Sequence, residues 1–196
     1  MGEIAVYNES FSLLYSISTA HSNTINRIRV SSNGLIVTAS DDNKVKVWNS
    51  SNNWNLIGTY SGHTYNVKAL VCLSNELIAS GDSNGNVNIW AISSLTTTIR
   101  TIDTGSFVVY CLALFNNGFN LASGSFQKIF IWNINNGSLV KTLSGDTSYI
   151  YDLAVISTEL LASSGYDQSV RIWNLTSYSL KYTMNGHNSY VYALKV

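Results

Sequence analysis

Histidine, hydroxyl and carboxylate side chains recur together in this sequence, and such a set could perform nucleophilic or metal chemistry. His21, for example, is followed by Thr38 and Asp42. An imidazole that takes a hydroxyl proton while a carboxylate orients it is the arrangement that activates the nucleophile of a hydrolase. Alternatively, the three histidines, His21, His63 and His187, could ligate zinc. The spacing of these residues decides between chemistry and a structural role.

The same local pattern returns about every forty residues. In the stretch 161–174, two short strands joined by a tight turn are predicted, with Ser163 in the first strand, Asp167 in the turn and Trp173 at the end of the second. Similar stretches end earlier, at Trp48, Trp90 and Trp132, so the tryptophans that end these stretches are 42, 42 and 41 residues apart. The position 27 residues before each tryptophan is occupied by His21, His63, Gly105 and Asp146, and the equivalent fifth position by His187.

Hairpins that end in tryptophan and repeat about every forty residues are typical of propellers built from four-stranded blades. The sequence resembles the WD-repeat family over almost its whole length. The pairs Gly62-His63 and Gly186-His187 match the Gly-His pair that this family usually carries. The resemblance implies an all-β fold, a β-propeller of four-stranded antiparallel blades with four full units and one partial blade.

The repeat predicts one domain over residues 1–196. It divides into a partial blade at 1–19, units at about 20–61, 62–103, 104–144 and 145–185, and a partial unit at 186–196. Residues 2–8 and 13–19 are predicted as the third and outer strands of a blade, and residues 191–196 as the innermost strand of a fifth. If both pieces belong to one blade, its second strand is missing. The chain is then a five-bladed ring with a defective closing blade or, the favoured alternative, an arc of a larger propeller, in which case exposed edges would promote self-association.

The resemblance also implies a structural tetrad in each unit, a buried chain of polar groups that satisfy one another. Its members are His, a second-strand Ser or Thr, a turn Asp and Trp. Carried over, they are His21, Thr38, Asp42 and Trp48 in unit one; His63, Ser80, Asn84 and Trp90 in unit two; Ser123 and Trp132 in unit three; Asp146, Ser163, Asp167 and Trp173 in unit four; and His187 in the partial unit. Unit three has Gly105 and Phe126 in place of His and Asp, and in unit four two carboxylates would face each other.

This assignment favours a structural role over catalysis. The hydroxyls lie in mid-strand and not on a nucleophile elbow, and the set repeats as a single active site would not. The histidines occupy equivalent points of different units, which holds them apart and argues against zinc. We therefore predict no catalytic residue, no metal and no cofactor.

Six tyrosines are the candidate partner-binding residues. The family turns certain positions near each tetrad toward one face of the ring, and from unit three onward tyrosine dominates them: Tyr110, Tyr149, Tyr151, Tyr166, Tyr190 and Tyr192. Tyrosine is enriched in binding hot spots, although the same rings could only pack the gaps between blades. The two alternatives are comparable for Tyr110 and Tyr151, while Tyr149, Tyr166 and Tyr190 are expected at the surface. The charged residues Lys68 and Asp41 are expected on the other side of the arc.

Composition limits the remaining alternatives. Charged residues make up 11% of the 196 residues and the net charge is zero, so a basic footprint for nucleic acid is absent. No apolar run approaches a membrane span, and no basic region followed by an apolar core begins the chain, so we expect an intracellular, cytoplasmic protein. The two cysteines, Cys72 and Cys111, lie in apolar strands and are predicted to be free thiols.

The function that the resemblance implies is a non-catalytic scaffold that mediates protein–protein or protein–peptide interaction. The alternative is a substrate-receptor or regulatory propeller within a larger multidomain protein whose chemistry lies elsewhere. A protein or peptide is the expected partner in both cases.

Overall fold

The computed structural model describes residues 2–51, 53–105 and 107–196. The chain begins with a hairpin of two strands, β1 (Gly2–Tyr7) and β2 (Leu13–His21). A four-stranded sheet follows, made of β3 (Ile25–Val30), β4 (Leu35–Ser40), β5 (Val45–Asn49) and β6 (Asn55–Tyr60). A second contains β7 (Val67–Cys72), β8 (Leu77–Asp82), β9 (Asn86–Ala91) and β10 (Ser94–Asp103).

The rest of the chain forms one seven-stranded sheet. Its strands, in spatial and chain order, are β11 (Cys111–Phe115), β12 (Asn120–Gly124), β13 (Phe126–Asn133), β14 (Leu139–Ser157), β15 (Leu160–Gly165), β16 (Ser169–Asn174) and β17 (Ser179–Asn185), with a 3-10 turn at Asn116–Gly118. All the strand pairs described are antiparallel, and within each sheet every strand pairs with its neighbours in sequence. The chain is therefore all-β, as predicted, with four-stranded antiparallel meanders as its repeating element.

We call residue 21 to β6 unit one, residue 61 to β10 unit two, residues 104–144 unit three and residue 145 to β17 unit four. Each of the first three includes the segment that leads into its first strand. Units three and four are continuous through β14, because residues 145–148 stay extended between the pairing of Ser144 with Lys128 and that of Ile150 with Gly165. Units three and four are therefore joined by one continuous strand, whereas residues 61–66 between units one and two are not in a strand.

The core consists of layers between successive sheets. Val47 of β5 packs with Val67, Ile78 and Trp90 of unit two, and all four side chains are fully buried. Equivalent layers join unit two to unit three and unit three to unit four, and Ile4 of the first hairpin packs against Trp48. Each unit thus buries its apolar faces only against its neighbours, which is how repeat proteins are stabilised.

Four of the connections between strands contain an Asn-Gly pair. A left-handed backbone with positive φ is available to glycine without steric cost, and the glycine of each pair uses it. Their glycines are Gly34 (φ 81°), Gly85 (φ 91°), Gly118 (φ 89°) and Gly137 (φ 74°).

The prediction of an innermost strand at residues 191–196 is wrong. The segment makes only separate hydrogen bonds to unit four, from Val191 N to Gly165 O at 3.0 Å and from Leu194 N to Asp152 Oδ2 at 2.8 Å. A strand requires a ladder of hydrogen bonds with a neighbour, and among the described residues no strand pairs with this segment. The segment nevertheless covers part of unit four, where an innermost strand of a further unit would begin.

Two remaining features concern the whole chain. Both cysteines are free thiols, as predicted; Cys111 is buried and Cys72 is half-buried. In the described residues there is no helix with the length and hydropathy to cross a membrane.

Candidate functional site

Unit one contains a complete chain of polar groups. His21 Nδ1 lies 2.9 Å from Asp42 Oδ2, and His21 Nε2 lies 2.7 Å from Thr38 Oγ1. The indole Nε1 of Trp48 donates to the same hydroxyl at 3.0 Å. His21, Thr38 and Trp48 are buried, so each group of this set replaces water for another.

Proton positions in unit one follow from the charge states. Burial raises the pKa of Asp42, but hydrogen bonds from His21 and from the amides of Ser22 and Lys44 outweigh it, so the net pKa is lowered. Burial lowers the pKa of His21 more than Asp42 raises it, so the imidazole is neutral at neutral pH. Nδ1 then carries the proton donated to the carboxylate, and Thr38 donates to Nε2. The hydroxyl is fully committed between imidazole and indole, so it is not poised to attack a substrate.

Unit two has a complete set as well, but not the predicted one. His63 Nδ1 lies 3.0 Å from Asp82 Oδ2, His63 Nε2 lies 2.7 Å from Ser80 Oγ, and Trp90 Nε1 donates to that hydroxyl at 3.1 Å. The prediction that Asn84 supplies the acceptor is wrong. Asp82, two residues earlier, takes this role.

The physical reason is that side chains two residues apart on a strand point to the same face. Ser80 and Asp82 are such a pair on β8, so the carboxylate at the end of the strand reaches the imidazole that also contacts Ser80. Asp82 also accepts the amide hydrogens of Asn84 and Asn86, at 2.9 and 3.0 Å, and so organises the turn. Burial acts to raise the pKa of Asp82, but the hydrogen bond with His63 and these two amide bonds outweigh it, so the pKa is lowered.

Unit three retains only the hydroxyl and the indole. Trp132 Nε1 donates to Ser123 Oγ at 2.8 Å. Gly105 offers no side chain, and Phe126, in the position of the turn carboxylate, packs against Phe107 and Tyr149 with ring centroids 5.9 and 5.0 Å away. An aromatic contact has thus replaced the polar chain in this unit.

In unit four an arginine, which the repeat pattern did not indicate, lies between the two carboxyl groups. Arg171 Nη1 lies 2.8 Å from Asp146 Oδ1 and 2.7 Å from Asp167 Oδ2. Trp173 Nε1 donates to Ser163 Oγ at 2.9 Å, and that hydroxyl lies 3.4 Å from Asp146 Oδ2. Arg171 stands two residues before Trp173, at the position that Lys46 occupies in unit one. A cation at this position, in a unit with two acidic tetrad residues, is the sequence signal that could have identified it.

The two carboxyl groups of unit four have opposite pKa shifts. Burial raises the pKa of Asp146 to about 6, although Arg171 acts in the other direction. Burial also acts to raise the pKa of Asp167, but the Ser169 hydroxyl, the Thr147 amide and Arg171 lower it to about 2. Arg171 therefore bridges a carboxylate that stays ionised and a carboxyl group that titrates near neutrality.

His187 does not join a tetrad. It is exposed, and it lines a shallow surface cavity with Val170, Met184, Asn185 and Gly186. Its predicted role is wrong, because residues 186–196 form no sheet that could supply the hydroxyl, carboxylate and indole partners.

The six predicted tyrosines lie together and form a closed ring of contacts, which we call the tyrosine surface. Ring centroids of successive members are 4.1 to 6.5 Å apart, within or just below the usual range for interacting aromatic pairs. The order around the ring is Tyr110, Tyr149, Tyr166, Tyr190, Tyr192 and Tyr151. Residues from unit three, unit four and the segment after β17 therefore form one continuous aromatic patch.

Exposure divides the tyrosine surface into two parts. Tyr149, Tyr166, Tyr190 and Tyr192 are exposed by 38%, 43%, 36% and 64% of their surface, whereas Tyr110 and Tyr151 are half-buried. Tyr166 and Tyr190 stack at 4.1 Å with an angle of 20° between their rings. Phe126 and the exposed Phe107, neither of which was predicted as a binding residue, extend the patch through Tyr149.

A central cavity of about 250 Å³ opens beside the tyrosine surface. Besides Arg27, it is lined by the equivalent residue of each unit and of the segment after β17: Asn26, Lys68, Tyr110, Tyr151 and Tyr192. Each of these residues is one repeat length from the next in sequence, and all of them lie around the same cavity.

The expectation that Lys68 and Asp41 lie away from the tyrosines is wrong. Lys68 lines the central cavity and forms a 2.6 Å ion pair with Asp41. Arg27 also reaches the cavity from unit one, and its Nη2 donates to the carbonyl oxygens of Tyr110 and Tyr151 at 3.0 Å each. The innermost segments of units one, three and four are thereby tied together by one guanidinium.

Comparison with known families agrees with this geometry. The family model described as WD domain, G-beta repeat (WD40), matches residues 11–49, 54–91 and 137–174, together more than half of the chain. The chain belongs to the WD-repeat family. The matched ranges leave out residues 92–136, where Gly105 and Phe126 replace the histidine and aspartate of the repeat. WD repeats generally mediate protein–protein interaction and are typically non-catalytic. The comparison with curated proteins gave no match.

Proposed function

We propose that this WD-repeat chain is a non-catalytic scaffold that binds a protein or peptide partner through the tyrosine surface. The observation that carries the proposal is the closed ring of six contacting tyrosines, four of which are exposed. Tyrosine combines a large apolar area with a hydrogen-bonding hydroxyl and loses little conformational entropy on binding. Contiguous rings held by one another are preorganised, which lowers the cost of association.

The proposal includes the arrangement of the units. Equivalent residues of four units and of the segment after β17 line one cavity, which supports sheets that radiate from a common centre as propeller blades. In that arrangement the tyrosine surface is one end of the propeller beside its central opening.

The hydrogen bonds and burial of the tetrad hydroxyls support a non-catalytic role. Thr38 and Ser80 are each held between an imidazole and an indole, and Ser123 and Ser163 each accept an indole N–H. All four hydroxyl-bearing residues are fully buried. A nucleophile needs access to a substrate, which these groups do not have.

A selection experiment tests the proposal even though the partner is unidentified. A random linear peptide library displayed on phage is selected against the full chain, and individual peptides are then titrated. We expect Tyr149→Ala and Tyr190→Ala each to weaken binding by roughly 1–3 kcal/mol, as truncation of a hot-spot residue does, with almost no change in melting temperature. Tyr182→Ala is the matched control, because Tyr182 on β17 is 58% exposed and does not contact the tyrosine surface.

The outcome separates binding from packing. If the Tyr149 and Tyr190 variants bind selected peptides like the wild type but melt at lower temperature, the rings only pack between units and the proposed surface is wrong. A loss as large in the Tyr182 variant would also contradict the proposal, since it would place the contact elsewhere.

A further inference from the structure

We infer that the central cavity binds the carboxylate of an aspartate or glutamate side chain in the partner peptide. The inference rests on the proposed function, because the peptide would lie on the tyrosine surface. Tyr110, Tyr151 and Tyr192 belong both to that surface and to the cavity lining, so a bound peptide could insert one side chain directly.

The first observation is the concentration of positive charge. The net charge of the chain is zero and it has 11 lysines and arginines, yet four of these line the central cavity or the one that adjoins it: Arg27, Lys68, Arg29 and Lys195. The acidic residues beside them are Asp152, which lines the adjoining cavity, and Asp41, which pairs with Lys68. Clefts lined by one sign of charge concentrate ligands of the opposite sign.

The second observation is the state of Arg27. Its Nη1 donates to Asn26 O and its Nη2 to two further carbonyl oxygens, and within the described residues no carboxylate lies within ion-pair distance of it. A guanidinium has five N–H donors, so two are left for a ligand. Carbonyl oxygens hold the group in place but do not neutralise its charge, and a half-buried cation is stabilised by an anion.

The size of the cavity limits what can enter it. At about 250 Å³ it lies below the ~300–1,000 Å³ of pockets that enclose a drug-sized ligand. One acidic side chain and a few waters fit this space better than a whole cofactor or a folded element. Single-stranded nucleic acid also uses aromatic rings and cations, but it needs cations along a groove that follows its backbone, whereas these four line cavities.

The test uses peptides selected by phage display on the full chain. We expect an acidic residue to be enriched at one position, and its replacement by the matching amide in the peptide to lower affinity about tenfold. This substitution leaves the protein untouched, so loss of fold cannot explain the result. Arg27→Gln should remove the difference between acid and amide peptides, as expected if the two groups interact directly.

Lys68 supplies the matched control. Its charge is already balanced by Asp41 at 2.6 Å, so Lys68→Met should reduce the preference for the acid peptide much less than Arg27→Gln does. Asp41→Asn should instead increase that preference, because it frees the Lys68 ammonium.

Several results would overturn the inference. Tyrosine-dependent peptides without an enriched acid, or an acid preference that survives Arg27→Gln, would reject the carboxylate site and leave the proposed function standing. Loss of binding when only the peptide's terminal carboxylate is amidated would assign the site to a chain end instead. Equally tight binding of a mixed-sequence oligonucleotide would favour nucleic acid, and peptides indifferent to the tyrosines would reject the proposed function itself.

Discussion

Units one and two differ from units three and four in how the same positions of the repeat are used. In the first pair, imidazole, carboxylate, hydroxyl and indole form a complete buried chain. In the second pair no imidazole is present, and Phe126 or the Asp146–Arg171–Asp167 bridge takes the place of that chain. The tyrosine surface lies over the second pair and the segment that follows it.

The comparison shows that the β-meander does not depend on one fixed polar set. The indole-to-hydroxyl bond is common to all four units, whereas the acceptor side of the set changes in each. In unit three the histidine and the carboxylate are absent, and Phe126 stands at the position of the carboxylate. Its ring contacts Phe107 and Tyr149 and so belongs to the aromatic patch. The same position of the repeat therefore belongs to a buried polar chain in one half of the chain and to an aromatic patch in the other.

The largest expected effect concerns Arg171. Arg171→Met leaves Asp146 and Asp167 facing each other without the cation that both contact within 2.8 Å. Breaking a buried ion pair by removing one partner costs roughly 3–5 kcal/mol, which chemical denaturation would measure.

A second variant separates the loss of the ion pairs from the loss of packing by the Arg171 side chain. In the Asp146→Asn background, Arg171→Met should cost clearly less, because only one carboxylate is left unpaired. Equal costs in both backgrounds would show that Arg171 acts through packing alone.

Unit two gives the next prediction, which distinguishes two neighbouring residues. Asp82→Ala should cost on the order of 1–3 kcal/mol, since it leaves His63 and the amides of Asn84 and Asn86 without their acceptor. Asn84→Ala should cost less than about 0.5 kcal/mol, the usual range for substitutions away from such networks. Melting curves of the two variants measure these costs. A larger loss of stability in Asn84→Ala would show that Asn84, and not Asp82, is the tetrad residue.

The pH dependence of stability should differ between the two halves because of Asp146. Its pKa in the folded state is about 6, above the ordinary value of 3.8, so the folded protein binds this proton more tightly than the unfolded chain. Stability from Asp146 is therefore present below pH of about 4 and is lost as the pH rises through about 6. Asp167 acts oppositely, since its pKa of about 2 gives stability above pH of about 4 that is lost on acidification through about 2.

Asp146→Asn isolates this contribution. Relative to the wild type, the variant should gain about 1–3 kcal/mol of stability as the pH rises from about 4 to about 7, measured by urea unfolding. Asp42→Asn serves as the control, because the lowered pKa of Asp42 gives no such gain in that range. Parallel pH profiles of the wild type and Asp146→Asn would contradict the assignment.

Much of the architecture could be predicted because the repeat carries its own signals. Tryptophan spacing, Asn-Gly turns and alternating apolar residues each depend on local backbone geometry, so the sequence predicts the meanders of all four units closely. The strand predicted at residues 191–196 is wrong for a different reason. Its apolar pattern is suitable, but a strand needs a neighbour to pair with, and that depends on the rest of the sheet.

The errors at the candidate site have two causes. Aligning the repeats by position predicts Asn84 and does not indicate Arg171, because the acceptor in unit two and the cation in unit four stand at other positions of the repeat, Asp82 and Arg171. Arg27 was missed since its contacts are with units far away in sequence, on carbonyl oxygens that carry no sequence signal. The register of the repeat predicts that the tyrosines lie together, but their mutual ring contacts depend on how neighbouring units pack, which the sequence does not show.

The last prediction concerns Phe126, where the comparison between the two halves can be tested most directly. Asp42 and Phe126 hold the same position of the repeat, one in a polar chain and the other in the aromatic patch. Asp42→Ala should cost on the order of 1–3 kcal/mol of stability and leave peptide affinity unchanged. Phe126→Ala should cost only about 1 kcal/mol, because this ring is half-buried and closes no hydrogen-bond chain. It should nevertheless weaken peptide binding by up to about tenfold, since the ring supports Tyr149 at 5.0 Å.

Melting curves and peptide titrations on both variants would show whether Asp42 affects only stability and Phe126 mainly peptide binding. If Phe126→Ala instead lost as much stability as Asp42→Ala and no affinity, the position would serve the core in both halves, and the aromatic patch would have no part in binding.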